Sequence, residues 1–244
     1  MFTRIQSIRR VVLASTILFP ALCALAQQTD VERYDVYAGF AGFETPELNL
    51  AQRGFHMQAG ENLRTWLSVG FDYSVATGHN ALTPNLLKTS LQQELGAEIE
   101  ALIAEGIIPP NYQLIVPTDA FSQTFAAGPQ FTYRHYKPVT LFIRPSLGAI
   151  RQKVTPRPTD PVSTLIVAQL VPAGYKIDWQ GFYGFGGGVD WNATKHVGLR
   201  MQTDLVYWRL FNDLLANGTW TVRYSVGPTF HFGRNIAAPP PASH

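Results

Sequence analysis

The chain has 244 residues, and its 19 Lys and Arg against 17 Asp and Glu leave a formal charge of +2. So even a balance excludes the dense basic footprint of a nucleic-acid-binding domain. One cysteine, Cys23, and six scattered His leave no disulfide framework and no metal-ligand spacing, so neither a metal nor a cofactor is expected.

Residues 1–26 read as a cleaved secretory signal. Arg4, Arg9 and Arg10 precede an apolar run from Val11 to about Leu22, and Ala24-Leu25-Ala26 supplies the small-x-small cleavage pattern. The run is shorter than the roughly 20 residues a membrane helix needs. Leu22 stands before Cys23 where a lipoprotein would carry a small residue. Loss of the three arginines leaves 16 basic against 17 acidic residues, a net charge of −1, and no cysteine.

From there the chain alternates apolar and polar residues, the period of a strand with two different faces. Tyr34, Val36, Ala38 and Phe40 oppose Asp35, Tyr37 and Gly39. In 54–60, Phe55, Met57 and Ala59 oppose His56 and Gln58. In 65–75, Leu67, Val69, Phe71, Tyr73 and Val75 oppose Trp66, Ser68, Gly70, Asp72 and Ser74. Phe125, Ala127, Phe131 and Tyr133 then oppose Thr124, Ala126, Gln130, Thr132 and Arg134, and Leu141, Ile143, Leu147 and Ala149 oppose Thr140, Arg144, Ser146 and Gly148. Tyr183, Phe185, Val189 and Trp191 oppose Gly184, Gly186, Gly188 and Asp190. Val197, Leu199, Met201, Leu205 and Tyr207 oppose Gly198, Arg200, Gln202 and Asp204. Last, Val222, Tyr224, Val226, Phe230 and Phe232 oppose Thr221, Arg223, Ser225, Thr229 and His231. These are eight strands of about ten residues, the length of a tilted membrane strand.

The connections alternate too. Those at 61–63, 135–138 and 192–195 are short; those at 44–53, 76–120, 152–178 and 212–219 are long. Sorting of short turns to one side and long loops to the other is the habit of outer-membrane barrels. A soluble calyx would be greasy inside and charged outside, but an eight-stranded barrel has only a narrow interior filled by side chains. The Phe, Tyr, Trp, Leu and Val face is too bulky for that interior. It therefore belongs outside against lipid, where every backbone group must pair and the sheet must close. Tyr34, Tyr133, Trp191 and Phe232 then fall at periplasmic strand ends, and Tyr73, Tyr183, Tyr207 and Trp220 at outer ends, forming two aromatic girdles. The expected class is all-β: an eight-stranded antiparallel up-and-down transmembrane β-barrel.

The stretch 184–207, GFGGGVDWNATKHVGLRMQTDLVY, and the ending VRYSVGPTFHFG resemble the penultimate hairpin and the end of outer membrane protein A-like β-barrel domains. The resemblance covers roughly residues 30–233. It implies a barrel at 27–233 and a final strand, ending on Phe232, that the barrel insertion machinery reads. Residues 234–244, with Ala237-Ala238-Pro239-Pro240-Pro241, resemble the start of a Pro-rich linker.

Eight inward-facing charges, Asp35, Asp72, Arg134, Arg144, Asp190, Arg200, Asp204 and Arg223, are equal in sign count, because single charges in a narrow lumen are costly while pairs are tolerable. They are read as a network that plugs the barrel. No Ser–His pair shares the lipid face, so no enzyme and no catalytic residue is expected. The triple glycine 186–188 lacks the Lys-Ser/Thr of a phosphate loop and reads as room inside the barrel.

The second long loop is the departure from a minimal barrel. Leu87, Leu91, Leu95, Ile99, Leu102 and Ile103 form a helical stripe within 85–106, ended by Pro109-Pro110. Tyr112 to Val116 reads as a strand above the membrane, and the third loop carries an apolar run, 165–171. The expected protein is thus an integral component of the bacterial outer membrane with a structural or surface-interaction role. A narrow gated pore is the alternative, and a lipid A-modifying enzyme the third reading. Its expected partners are outer-membrane lipid and lipopolysaccharide, the insertion machinery, and an extracellular partner met through loops 76–120 and 152–178, with no nucleic acid.

Overall fold

The computed structural model describes residues 28–237. The signal peptide and the Pro-rich stretch from 238 onward lie outside the described residues. Eight strands follow one another: β1 Glu32–Thr45, β2 Leu50–Asn62, β3 Leu67–Leu82, β4 Val116–Tyr136, β5 Val139–Pro156, β6 Lys176–Asn192, β7 Val197–Trp208 and β8 Thr219–Asn235. Each pairs antiparallel with its neighbour in sequence, and β8 returns to β1, closing the barrel. Tyr34 faces Phe232 and Phe40 faces Val226 across that seam.

The alternation decides the wall. Phe40, Phe55, Phe71, Ile143, Leu147, Tyr183, Phe185, Met201 and Phe230 are exposed on the outside. Asp72, Ser74, Thr124, Thr140, Gln202 and Ser225 on the opposite faces are buried. Trp66 departs from its expected inward place: β3 starts one residue later, and Trp66 stacks on outward-facing Phe131 at 6.3 Å.

The strands are longer than the sequence indicates, from 12 residues in β7 to 21 in β4. Alternation is legible only where one face is apolar. Beyond Val75 the outer face of β3 turns to Thr77 and His79, yet the ladder continues through His79↔Asp119 to Leu82↔Val116. Four connections therefore stand above the belt: 46–49, 83–115, 157–175 and 209–218.

The loop helix is present but shorter than expected: α1 spans Thr89–Ala104, after a single 3-10 turn at Pro84–Leu86. Tyr112 to Ile115 is not strand; its Tyr112 hydroxyl instead donates to Asp160 at 3.0 Å. The apolar run of the third loop is a second helix, α2, Pro161–Leu170. Asp160 caps it by accepting from the backbone of Val162 and Ser163 at 3.0 and 2.9 Å, with Pro161 in the first turn. Those bonds hold the Asp160 carboxyl below its ordinary range. Burial, helped by Asp160, pushes the Tyr112 phenol up to about 12. Leu95 of α1, Val162 and Ile166 of α2, and Ile108, Leu114 and Val116 form one apolar cluster over the barrel.

Candidate functional site

The lumen is built in two storeys. Toward the short turns, inward positions of five strands, β3, β5, β6, β7 and β8, bring charged side chains together. Asp72 on β3 accepts from Arg144 Nη2 at 2.6 Å and from Arg223 Nη1 at 3.2 Å. Arg223 also donates Nε to Asp204 at 2.8 Å. Arg200 grips both oxygens of Asp190, at 2.7 and 2.8 Å, and donates to Gln58 at 2.6 Å. Bidentate Arg–carboxylate pairs of this kind are the geometry that best offsets desolvation. All six charged residues in these pairs are buried.

Two expected members stand apart. Arg134 sits at the turn end, bonded to the carbonyl of Thr65 at 3.0 Å and to Asn62 at 3.1 Å rather than to an acid. Asp35 is buried opposite Gly60 and has no cation within salt-bridge distance among the described residues. The pairs instead recruit neutral groups that parity placed inside but charge counting passed over. His56 bonds Ser225 at 3.0 Å and Gln202 at 3.2 Å, while Gln202 reaches Asp204 at 3.3 Å.

Two aromatic rings also enter the lumen. The Arg200 guanidinium lies 4.8 Å from the Phe142 ring centre and 5.7 Å from that of Tyr37, a desolvated cation–π arrangement. Glycines make the space. A Cβ on Gly186 would sit 1.8 Å from Asp204 Oδ1, and one on Gly188 2.7 Å from the Phe142 ring. The triple glycine is thus the negative image of a carboxylate and a ring. What remains empty among Asp35, Gln58, Arg144 and Arg200 is about 10 Å³, at the lower limit for one water.

Ser225, His56 and Asp72 have the membership of a hydrolytic triad. His56 Nε2, however, is 3.7 Å from Asp72, both Asp72 oxygens are engaged by arginines, and all three residues are buried inside the wall. No substrate carbonyl has a place beside Ser225 in that packing.

Toward the long loops an apolar cluster fills the lumen, edged by buried Thr45, Gln52, Ser122 and Thr221, which hydrogen-bond at its margin. Leu50, Ile150, Phe182, Val206 and Trp208 point inward from the strands and meet Leu48, Leu210, Phe211 and Leu215 from the loops. The sequence pattern places charges and glycines inside and marks 212–219 only as a long connection, so this apolar cluster is not among its expectations. The loop 209–218 turns into the mouth, holding Phe211 at φ +52°, a left-handed backbone that non-glycine residues adopt at a cost. Asp178 accepts the Phe211 amide at 2.6 Å, and Lys88 donates its amide to Leu214 at 2.8 Å. The fourth loop is thereby tied to the base of α1.

The aromatic positions sort as follows. Tyr34 packs on Phe232 at 5.7 Å near the turn end, where Tyr133 and Trp191 are also exposed. Tyr183, Tyr207 and Trp220 cluster within 5.1 to 6.1 Å toward the loops. Tyr73 lies mid-strand because β3 runs on to Leu82, and it packs on Phe125 at 5.0 Å.

No protein-family model matches the chain, and no curated protein matches it. Solved structures with a similar barrel include Neisserial surface protein A, at 15% identity and TM-score 0.46 over 82% of this chain and 96% of that one. Another is Ail of Yersinia pestis, in complex with the heparin analogue sucrose octasulfate, at 14% and 0.44 over 83% and 100%. The outer membrane protein OprG of Pseudomonas aeruginosa stands at 8% and 0.47 over 86% and 100%. At these values no residue role passes from those proteins to this one.

Proposed function

We propose that the protein is an integral outer-membrane barrel with a closed lumen, and that its loops carry a structural or surface-interaction role. The observation that carries this reading is the inversion of polarity across the wall. Leu147 is 71% and Phe40 69% exposed outside, while Asp72 and Arg223 are 1% exposed inside. In water a belt of this extent would aggregate; in lipid it is solvated, and the closed ladder leaves no backbone edge unpaired. Among the described residues no helix is long and apolar enough to cross a membrane, so crossing falls to the strands. The placement of Tyr34, Phe232, Tyr133 and Trp191 at one end, and of Tyr183, Tyr207 and Trp220 toward the other, supports two girdles. Export by the N-terminal signal and insertion by the barrel machinery belong to the same reading, with loops 76–120 and 152–178 as the surface offered to an extracellular partner. No catalytic role is assigned, and lipid A modification stands as the third reading.

The test is conductance. Protein inserted in planar bilayers should be silent, because the Arg–Asp pairs fill the lower lumen. Discrete, repeatable channels would overturn the closed lumen and favour the second reading, a gated pore. That reading has its own support in the upper seal, which is made partly by a loop, held in a strained backbone at Phe211, rather than by strands alone.

A further inference from the structure

The outer face of the wall changes character abruptly on one side, at the level where the apolar belt ends. On β3 the outward sequence passes from Tyr73 and Val75 to Thr77 and His79. On β4 it passes from Phe125 to Gln123, and on β5 from Ala149 to Arg151 and Lys153. Arg151 is paired in register with Gln123 and Trp179, and Lys153 with Phe121 and Ile177. Both cations therefore lie within one or two outward positions, about 7 Å each along a strand, of the lipid-facing aromatic rings. Arg53 on β2 stands opposite Thr77 and continues the row.

Arg151 and Lys153 line a groove whose one carboxylate among the described residues, Asp119, is taken up by Arg157 and His79, which leaves both cations without an acidic partner. Arg157 pairs with Asp119, which also accepts from His79 at 2.5 Å. Arg151 spends one donor on Gln123 at 3.1 Å and lies 6.0 Å from the Trp179 ring; Lys153 lies 4.6 Å from the Tyr175 ring. Neither has a carboxylate within salt-bridge distance among the described residues. Between them and β3 the groove runs open, with about 540 Å³, and Thr77, Thr155, Phe121 and Asp119 also line it, the Asp119 carboxylate being already engaged by Arg157 and His79. The facing wall of β1 and β8 is different: its exposed outer residues at the loop end include Glu44 and, just beyond, Glu47.

We propose that this groove on β3, β4 and β5 binds a phosphate-bearing headgroup of an outer-leaflet lipid. The proposal rests on the membrane reading above. Position decides the occupant: the groove opens on the lipid-facing side, flush with the end of the apolar belt, where headgroup phosphates lie and where amphipathic rings and basic side chains gather. Two unpaired cations beside threonine hydroxyls match the charge and acceptor count of phosphate oxygens.

The protein is inserted in phosphatidylcholine vesicles doped with diphosphoryl lipid A or with the same lipid stripped of its phosphates. Retained lipid is then measured by native mass spectrometry after extraction. Wild-type protein should keep the phosphorylated lipid in preference to the stripped one. The Arg151→Gln/Lys153→Gln pair should keep it on the order of 30-fold less tightly, while Arg209→Gln, outside the groove, keeps it as wild type does. Equal retention of the two lipids, or undiminished retention by the double variant, overturns the proposal. Displacement by inorganic phosphate at equal concentration does so too, because it would make the groove a general anion site. Insertion is read separately by protease protection. Protein that never inserts sinks the membrane reading and the proposal together, whereas inserted protein indifferent to phosphate sinks the proposal alone.

Discussion

The lower and upper storeys of one narrow lumen are filled by opposite chemistries. Below, Asp72, Arg144, Arg223, Asp204, Arg200 and Asp190 exchange directed bonds of 2.6 to 3.2 Å. Above, Leu50, Ile150, Phe182, Val206 and Trp208 pack against loop residues as a small soluble core would. The charged storey consists of strand residues alone, so barrel closure itself delivers every partner. The apolar storey needs Leu210, Phe211 and Leu215 from a loop, so it can be opened without unpicking the sheet. A directed network is intolerant of a missing member; an apolar core is tolerant of any swap that keeps volume.

The comparison can be broken by removing single charges. Arg200→Met or Asp204→Asn should lower unfolding stability by about 3–5 kcal/mol, since each leaves an uncompensated buried charge. An unchanged denaturation midpoint in both variants would mean that the lower storey is not a network. Phe182→Ala in the upper storey should cost roughly 3–5 kcal/mol when the cavity persists, and Phe182→Leu less than about 1.5. A charged storey equally forgiving of conservative change would erase the contrast.

Replacing 209–218 by a short Gly-Ser turn sharpens the comparison further. Bilayers should stay silent, because the arginine storey is a second seal; conductance on loss of the loop alone would make the loop the only gate. Gly186→Ala should cost about 1–3 kcal/mol by overpacking against Asp204, and an equal loss for Ala at solvent-facing Gly96, where a Cβ meets nothing within 4 Å, would remove the size argument. The smallest effect belongs to the loop cap. Asp160→Ala should cost about 1 kcal/mol, read as faster amide exchange in α2. Because the Asp160 carboxyl is held below its ordinary value, its contribution is complete above the ordinary pKa of 3.8 and fades as pH falls further. Amide protection in α2 that is unchanged in strong acid would contradict the cap.

Much of the architecture was legible in period-two patterning. Val69, Phe71 and Tyr73 against Ser68, Gly70 and Asp72 announce a wall with two solvents, and the alternation of short and long connections orders the strands into a meander. The same parity put all eight charges inside, and six of them meet in pairs. Arg134 and Asp35 could not be sorted from the rest, since parity gives the face of a residue and not its height along a tilted barrel. His56, Gln58 and Gln202 were in view as inward residues, but nothing in a linear pattern says which neutral groups finish a charge network.

The chain by itself determined strand number, the apolar outer and polar inner sides and the helical stripe of α1, because each depends on the spacing of neighbours along one element. Only the tertiary structure decided the pairing of Arg200 with Asp190 and of Arg223 with both Asp72 and Asp204, the fit of Phe142 over Gly188, and the entry of Phe211 into the mouth. Those depend on the stagger of eight strands around a closed circuit and on a loop folding back across it. Both are set when distant residues such as Tyr34 and Phe232 meet at the seam.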